Sequence, residues 1–502
     1  MGAGGGSPGK GTRSVPKICV NIFISFIGAG VLGLPYTFRQ SGILLGFLIM
    51  LAVSIFAVKA MLMLIECKYT IINASAFSED RQRLLDAFDE TEATLHSTAS
   101  PNKSPRKHPF HQMDLDNLTY AELGYCVGGV AGRQLVEFSI VVSQVGFCCA
   151  YLIFITENLN SYLPSVSRAS WLSILLPPLF LLTLYKELKR LAYFSFFAQF
   201  SNMLAFAVVF WFDYDHLKET ESLAEPVQWN WEGFSFFFAV AIYCYEGAGM
   251  ILALESSLAK DLRHHFTKYF INTIVFVTFL YITFGIAGYL AFGNKTNPII
   301  TLNLPTGMGG LDFAMLVKMC LCISLFFTYP VMMFPVRELL EKRLPHRNGW
   351  GTGLLLRLGL VTTTGIVVIF IPSFANLMAL IGATCCSLLA FILPAAFHIV
   401  LHPRASSWTR LLEYGMLALG FAAAIMGTVD TLERLGSRED AVAQAADRGP
   451  LSNLSAAALA DPFQEHRILP IPNDTSLRAI HRHFFQPHKL TLTTPTTNLT
   501  RP

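Results

Sequence analysis

Two glycine-rich breaks interrupt long apolar stretches of this chain, Gly28-Ala29-Gly30-Val31-Leu32-Gly33-Leu34-Pro35 and Tyr245-Glu246-Gly247-Ala248-Gly249. A helix that unwinds leaves free carbonyls, with partial negative charge, at the end of its first half. It leaves free amides, with partial positive charge, at the start of its second. Such a pair of poles suits a zwitterion: a carboxylate goes to the half-helix amides and an ammonium to the carbonyls. The expected contacts are Gly28, Ala29, Gly30, Val31 and Leu32 on the first break, and Tyr245, Gly247, Ala248 and Gly249 on the second. Ser143 and Ser324, polar residues inside other apolar stretches, are candidates to line the same cavity. Close packing of helices also uses small residues at such spacing, and it is the competing explanation for each residue taken singly. Two breaks opening the two halves of the chain favour a carrier.

Glu246 lies inside the second break and is the acid placed deepest in the apolar stretches. An ionised carboxylate there is costly, so it either carries a proton or caps the amides freed around Gly247 to Gly249. Both readings stand on the residues alone. Lys59 and Lys318 sit near opposite ends of their stretches, within snorkelling reach, and read as anchors. Arg133 and Glu137, four apart, read as a structural pair.

The elements that must position these groups are membrane helices. The chain is 53% hydrophobic and 14% charged, well below the ~25% charge of a soluble domain. With about 20 apolar residues needed per crossing, eleven spans are expected, centred near Ile27, Ser54, Ser143, Leu176, Ala205, Ile242, Val277, Leu325, Val361, Ala390 and Ala422. With the first residues in the cytosol, the short cytosolic segments gather Lys10, Arg13 and Lys17; Lys186, Lys189 and Arg190; Lys260, Arg263 and Lys268; Arg337, Lys342, Arg343 and Arg347; and Arg404 and Arg410. The opposite loops carry only Arg39, Arg168, Lys218 and Lys295, and the largest of them, around Asp213 to Glu225, is acidic. This is a strong positive-inside bias. A net charge of +3 gives no reason to expect a nucleic-acid partner; the expected partner surface is the lipid bilayer.

The first span lacks a small-residue cleavage site and is expected to serve as its own insertion signal. Residues 1–16 read as a basic cytosolic tail without fixed structure, residues 17–432 as the membrane domain and residues 433–502 as a luminal or extracellular tail, where the Asn453, Asn473 and Asn498 sequons become usable. The connection over 67–117 is the main insertion, with a short surface helix expected over 78–95. Within it Asp80-Arg81-Gln82-Arg83-Leu84-Leu85 fits an acidic dileucine sorting signal, for which the partner is a sorting adaptor; amphipathic packing of Leu84 and Leu85 explains the same residues. Ten cysteines are scattered without histidine partners, and neighbours such as Cys148-Cys149 point about 100° apart on a helix. No metal site, disulfide or cofactor is assigned. No nucleophile or His/Cys/Asp cluster lies at a span end, so an enzyme is not expected.

Further segments carry a resemblance. Asn21 through Phe38, Ser143-Gln144-Val145-Gly146-Phe147-Cys148, Tyr245-Glu246-Gly247, Ile300-Thr301-Leu302-Asn303-Leu304, Phe327-Thr328-Tyr329-Pro330-Val331-Met332-Met333 and Ile371-Pro372-Ser373-Phe374-Ala375-Asn376 resemble the amino acid/auxin permease family over nearly all of 15–432. Within it the chain looks most like plant vacuolar neutral amino-acid exporters and proton-coupled amino-acid transporters. The resemblance implies an all-α polytopic membrane protein of about eleven transmembrane helices, in a five-plus-five inverted-repeat fold with helices 1 and 6 broken. It implies an amino acid and a proton as partners, and export from vacuole to cytosol. Sodium coupling or plasma-membrane uptake is the rival within the class; a sensor that binds amino acids without moving them is the rival outside it.

Overall fold

The structure, a computed structural model, describes residues 12–95, 117–184, 188–219, 226–304, 313–343, 350–371 and 373–447. The chain divides into two units, Met1–Glu433, which carries the membrane passages, and Arg434–Pro502. Among its described residues the first unit consists of helices and their connections, with one isolated bridge, Thr12 with Leu258.

The first passage is α1 (Val15–Phe26), a 3-10 stretch at Ala29–Gly33 and α2 (Leu34–Ser41), bent by 49° at the break. The second is α3 (Ile43–Leu95) and the third α4 (Tyr120–Tyr162). Then follow α5 (Arg168–Thr183), α6 (Leu188–Glu219), the interrupted pair α7 (Phe234–Cys244) and α8 (Ala248–Ser256), α9 (Phe266–Phe292), α10 (Phe313–Arg343) and α11 (Trp350–Phe370). The tenth passage is α12 (Phe374–Ile381), two π turns and α13 (Leu393–Leu401); α14 (Ser407–Asp447) is the last. Among the described residues eight helices are long and apolar enough to cross a bilayer, or nine with the bent first pair counted as one span. The 16-residue α5 and the 32-residue α6 occupy the other two of the eleven expected positions.

Several elements differ from expectation. The second span does not stop near 67: α3 continues as one helix to Leu95, because no glycine or proline falls between Glu66 and Leu95 and the segment is rich in helix formers. Likewise α4 starts at Tyr120, well before the expected span, on a capping box made by Thr119 and Glu122, and bends at Gly128-Gly129, where Gly129 has φ 59°. Helix α14 runs on to Asp447, past the expected boundary at 432. Asp213 is not in a loop; it lies within α6 and is 1% exposed.

Burial ranks the passages. The apolar windows of Trp231–Ser256 and Phe374–Leu401 are 78% and 83% buried, against 28% for α11 and α14. Passages six and ten are therefore the centre, and α11 and α14 present apolar faces outward, as does α9 through Val275, Phe276 and Phe279. Closest approach is at Gly382, where a Cβ would meet the Ala239 carbonyl oxygen at 1.9 Å. There the tenth passage opens into π turns at Gly382–Cys386 and Leu388–Ile392, and Ser387 Oγ donates to the Gly382 carbonyl at 2.9 Å.

Candidate functional site

The two breaks meet in space. Helix α1 ends at Phe26, and Gly28 is extended, φ −127° and ψ −173°. Helix α7 ends at Cys244, and Gly247 precedes the first turn of α8. Between them stands Tyr281 of α9: its hydroxyl donates to the Phe26 carbonyl at 2.5 Å and lies 3.4 Å from the Cys244 carbonyl. The carbonyl poles of both first halves thus converge on one buried phenol. Beside it Tyr245 donates to Thr278 Oγ1 at 2.9 Å, so two hydroxyl residues one turn apart on α9 serve the two breaks.

The second break is milder than the first, and Trp231–Ser256 runs through it as one 26-residue span. Its amide pole is turned on its own side chain: the backbone N–H groups of Ala248 and Gly249 donate to the Glu246 carboxylate. The other oxygen, Oε2, is buried and has no partner among the described residues. Tyr120, Cys385 and Cys386 lie near enough to feel its charge. Capping and a spare acceptor therefore coexist in one group.

The glycines divide by what surrounds them. A Cβ on Gly28 or Gly249 would meet nothing within 4 Å, so both face open space. On Gly30 it would meet the Tyr243 ring at 2.9 Å, on Gly33 Met378 Cε at 2.3 Å and on Gly247 Phe26 Cζ at 2.5 Å. These three permit close packing, as the competing explanation holds. Ala29, Val31, Leu32 and Ala248 are buried in the same core. Ser143 is buried on α4 and its hydroxyl donates to the Ile140 carbonyl of its own helix at 3.0 Å. Ser324 is buried on α10, which packs on α4 and α6. The helix carrying Asp80, Leu84 and Leu85 is described, but their side chains lie outside the described ones. The three sequons of the tail also lie outside the described residues.

Below the breaks the inner halves are closed by ions. Lys68 on α3 and Glu255 at the end of α8 are fully buried and paired at 2.7 Å. Lys68 also donates to Ser256 Oγ at 2.7 Å, Tyr69 donates to Glu255 Oε1 at 2.5 Å, and Arg263 stands 3.8 Å from the same oxygen. Thr12, just before α1, exchanges backbone bonds with Ser257 and Ala259. Neither cation expected to anchor does only that: Lys59 pairs with Glu66 at 3.7 Å, and Lys318 is 1% exposed with its ammonium over the Tyr162 ring. Arg133 does pair with Glu137 at 2.7 Å, and Arg343 joins the same carboxylate.

Sequence reading missed Tyr281, Thr278 and Lys68. A signal existed for the first two: hydroxyls three apart in a largely apolar span share one face. Lys68 fell in a segment read as a loop.

A bundle of membrane-length helices with an interrupted first passage, its unwound backbone packed against a second break that holds a buried acid, has the architecture of a membrane carrier. The sequence profile described as transmembrane amino acid transporter protein matches residues 11–83 and 106–433, and the chain belongs to that family. Among its relatives in Arabidopsis thaliana, amino acid transporter ANT1 is 32% identical over 434 residues, covering 82% of this chain and 90% of that one. Amino acid transporter AVT3C is 33% identical over 447 residues, 84% and 91% of the two chains. Amino acid transporter AVT3B is 32% identical over 450 residues, 85% and 95%. Among solved structures MhsT, in complex with L-phenylalanine, aligns with 84% of this chain and 99% of its own at 13% identity and a TM-score of 0.43, a likeness of outline only.

Proposed function

We propose that this chain is a secondary active transporter that carries small neutral amino acids, with a proton, out of the lumen of a vacuole or lysosome-like compartment into the cytosol. The observation that carries the reading is the convergence of both carbonyl poles on Tyr281 beside the amide pole at Glu246. An ammonium is stabilised by the first, and a carboxylate by the second once a proton on Glu246 releases the amides of Ala248 and Gly249; the open space at Gly28 and Gly249 admits the substrate's backbone-sized head. Glu246 is the proton carrier: protonated, it can donate through the oxygen that now lacks a partner; ionised, it holds the amides of Ala248 and Gly249. An acidic lumen drives the substrate outward, by about tenfold in concentration per pH unit for one proton per substrate.

The test is flux of labelled alanine or proline in liposomes containing the purified chain, with imposed pH or sodium gradients. A pH gradient should drive accumulation against concentration. Glu246→Gln keeps an acceptor for the two amides but carries no proton, so it should lose gradient-driven accumulation and keep exchange of labelled for unlabelled substrate. Unchanged proton-driven accumulation in that variant removes the role of Glu246. Accumulation driven by sodium alone replaces the coupling ion, and no flux of any amino acid under either gradient sinks the transport reading.

A further inference from the structure

A second set of titratable groups lies outside the breaks, where α3, α13 and α14 meet. His398 of α13 is 3% exposed and sits between two carboxylates. Its Nδ1 is 2.5 Å from Glu413 Oε1, and its Nε2 is 3.0 Å from Glu66 Oε2. A neutral imidazole has one N–H and one bare nitrogen, so it can satisfy only one carboxylate oxygen; the other would face a lone pair with a lone pair. Both contacts are bonds only when the triad holds one proton more than a neutral histidine between two carboxylates, either as imidazolium or as a carboxylic acid.

The surrounding charges fix where that proton comes from. Glu413 is fully buried and also receives Arg410 at 2.8 Å, so it is walled off. Glu66 is half exposed and approached by Lys59 at 3.7 Å. It also lines a cavity of about 640 Å³ together with Tyr69, Thr70, Lys260, Arg263, His264 and His402. The cavity lies at the end of the bundle that the charge pattern assigns to the cytosol. His402 stacks on His398 with ring centroids 4.0 Å apart and bonds Thr70 at 2.9 Å. Burial and the neighbouring His398 hold His402 below the ordinary histidine range, which leaves the extra proton to the triad. From α4, packed on α13, Tyr120 reaches the tenth passage through the Leu389 carbonyl, and Glu122 and Cys126 are further titratable groups on that helix. Cys67, Lys68 and Tyr69 continue α3 past the triad, and Lys68 is the cation that holds Glu255 of α8.

We propose that Glu66, His398 and Glu413 form a proton-binding site, separate from Glu246 and reached through the cavity at the cytosolic end, whose occupancy ties α13 and α14 to α3. Loss of its proton leaves a carboxylate against a bare nitrogen and loosens α3, the helix that also holds the inner half of the sixth passage through Lys68. Cytosolic pH thereby sets how readily the inner end opens.

The experiment varies the pH on each face of proteoliposomes independently and reads initial exchange of labelled alanine. Glu66→Gln is the informative variant: its amide donates to Nε2 while Nδ1–H donates to Glu413, so a neutral imidazole is fully bonded and no extra proton is needed. A histidine-centred site titrates within about pH 5 to 8, and its occupancy falls roughly tenfold across two units centred on its midpoint. Wild-type exchange should follow that change from the cytosolic face. In Glu66→Gln the dependence on that face should shrink to less than about twofold, while dependence on the opposite face, carried by Glu246, persists. Retention of the full cytosolic-face dependence in Glu66→Gln overturns the site. Absence of any opposite-face dependence in the wild type would instead count against Glu246 and leave the triad standing. A second measurement needs no transport: the melting temperature of detergent-purified wild type should fall as pH rises through the loss of the proton, since the folded triad binds it more tightly than separated groups do. Glu66→Gln and His398→Gln should each flatten that profile, and an unchanged profile in both refutes the proposal.

Discussion

The two ends of the bundle are closed by different chemistry. At the outer end the chain between α6 and α7 is stapled to the turn joining α2 and α3 by backbone: Ile43 N–H to the Val227 carbonyl at 3.1 Å, Leu44 N–H to Gln228 at 3.0 Å and Asn230 N–H to Ser41 at 2.8 Å. Side chains add to it, Asn230 to the Gln40 carbonyl at 2.9 Å and Arg39 to Thr296 at 3.0 Å. At the inner end α8 is held by Lys68, Arg263 and Tyr69 converging on Glu255. A backbone staple keeps its strength whatever the charges do. A buried ion pair contributes little net stability, because desolvation offsets its Coulomb attraction, so admitting water to that end costs little; removing one partner while the end is shut costs a great deal. The inner end is thus the one built to be specific when closed and easy to hydrate, which fits the proposed release on the cytosolic side.

The largest effect should come from breaking that pair. Lys68→Met leaves Glu255 buried with only Tyr69 and a more distant Arg263, and should destabilise the closed protein by about 3 kcal/mol, the low end for an orphaned buried charge. Lowered melting temperature and faster labelling of a cysteine placed at Ser256 would read it. Lys68→Met with Glu255→Met should recover most of the loss, since an apolar pair of similar volume is often neutral. Failure of the double variant to recover would mean that the inner end is held by packing, as the outer end is by backbone.

Next in size is the outer staple. Gly42 has φ 87°, and a Cβ there would meet the Gln228 carbonyl carbon at 2.6 Å and the Trp229 nitrogen at 2.7 Å. Gly42→Ala combines left-handed strain with a backbone clash and should cost about 2 kcal/mol. The loss should be independent of ionic strength and pH, where that of Lys68→Met is not. A salt-dependent loss in Gly42→Ala would erase the distinction between the ends.

The inner network was hidden from sequence while the breaks were not, and the reasons are physical. Gly28 to Pro35 and Tyr245 to Gly249 announce themselves because glycine and proline are rare punctuation in an apolar helix. Which of those glycines face substrate was not legible: Gly28 and Gly249 border open space, whereas Gly30 and Gly247 are packed against Tyr243 and Phe26, a distinction made by neighbours far away in sequence. Polar residues at helix ends read as snorkelling anchors, and nothing local marks Lys68 as the partner of a residue 187 positions on, or His398 as a bridge between Glu66 and Glu413. Helix α3 obscured both, since a polar run after an apolar one reads as a loop although no residue in it stops a helix. Asp213 was misplaced for the same reason: acidity beside a loop outweighed an apolar face that in fact continues through Phe206 and Phe210 to Phe284.

The smallest expected effect tests the cation in the outer closure. Arg39 donates to the Thr296 carbonyl, stands 5.6 Å from the centre of the Tyr36 ring, and has no carboxylate among its bonded partners in the described residues. Arg39→Gln removes the cation but keeps a donor of shorter reach, and it takes one hydrogen bond from the carbonyl of the buried Thr296. The cost should therefore be about 1 kcal/mol, that of one hydrogen bond. Melting temperature should fall by correspondingly less than in Gly42→Ala, and exchange of labelled alanine should stay within about threefold of wild type. A loss equal to that of Lys68→Met would place a charge at the heart of both closures, and the outer end would then also open by hydrating an ion rather than by unpairing backbone.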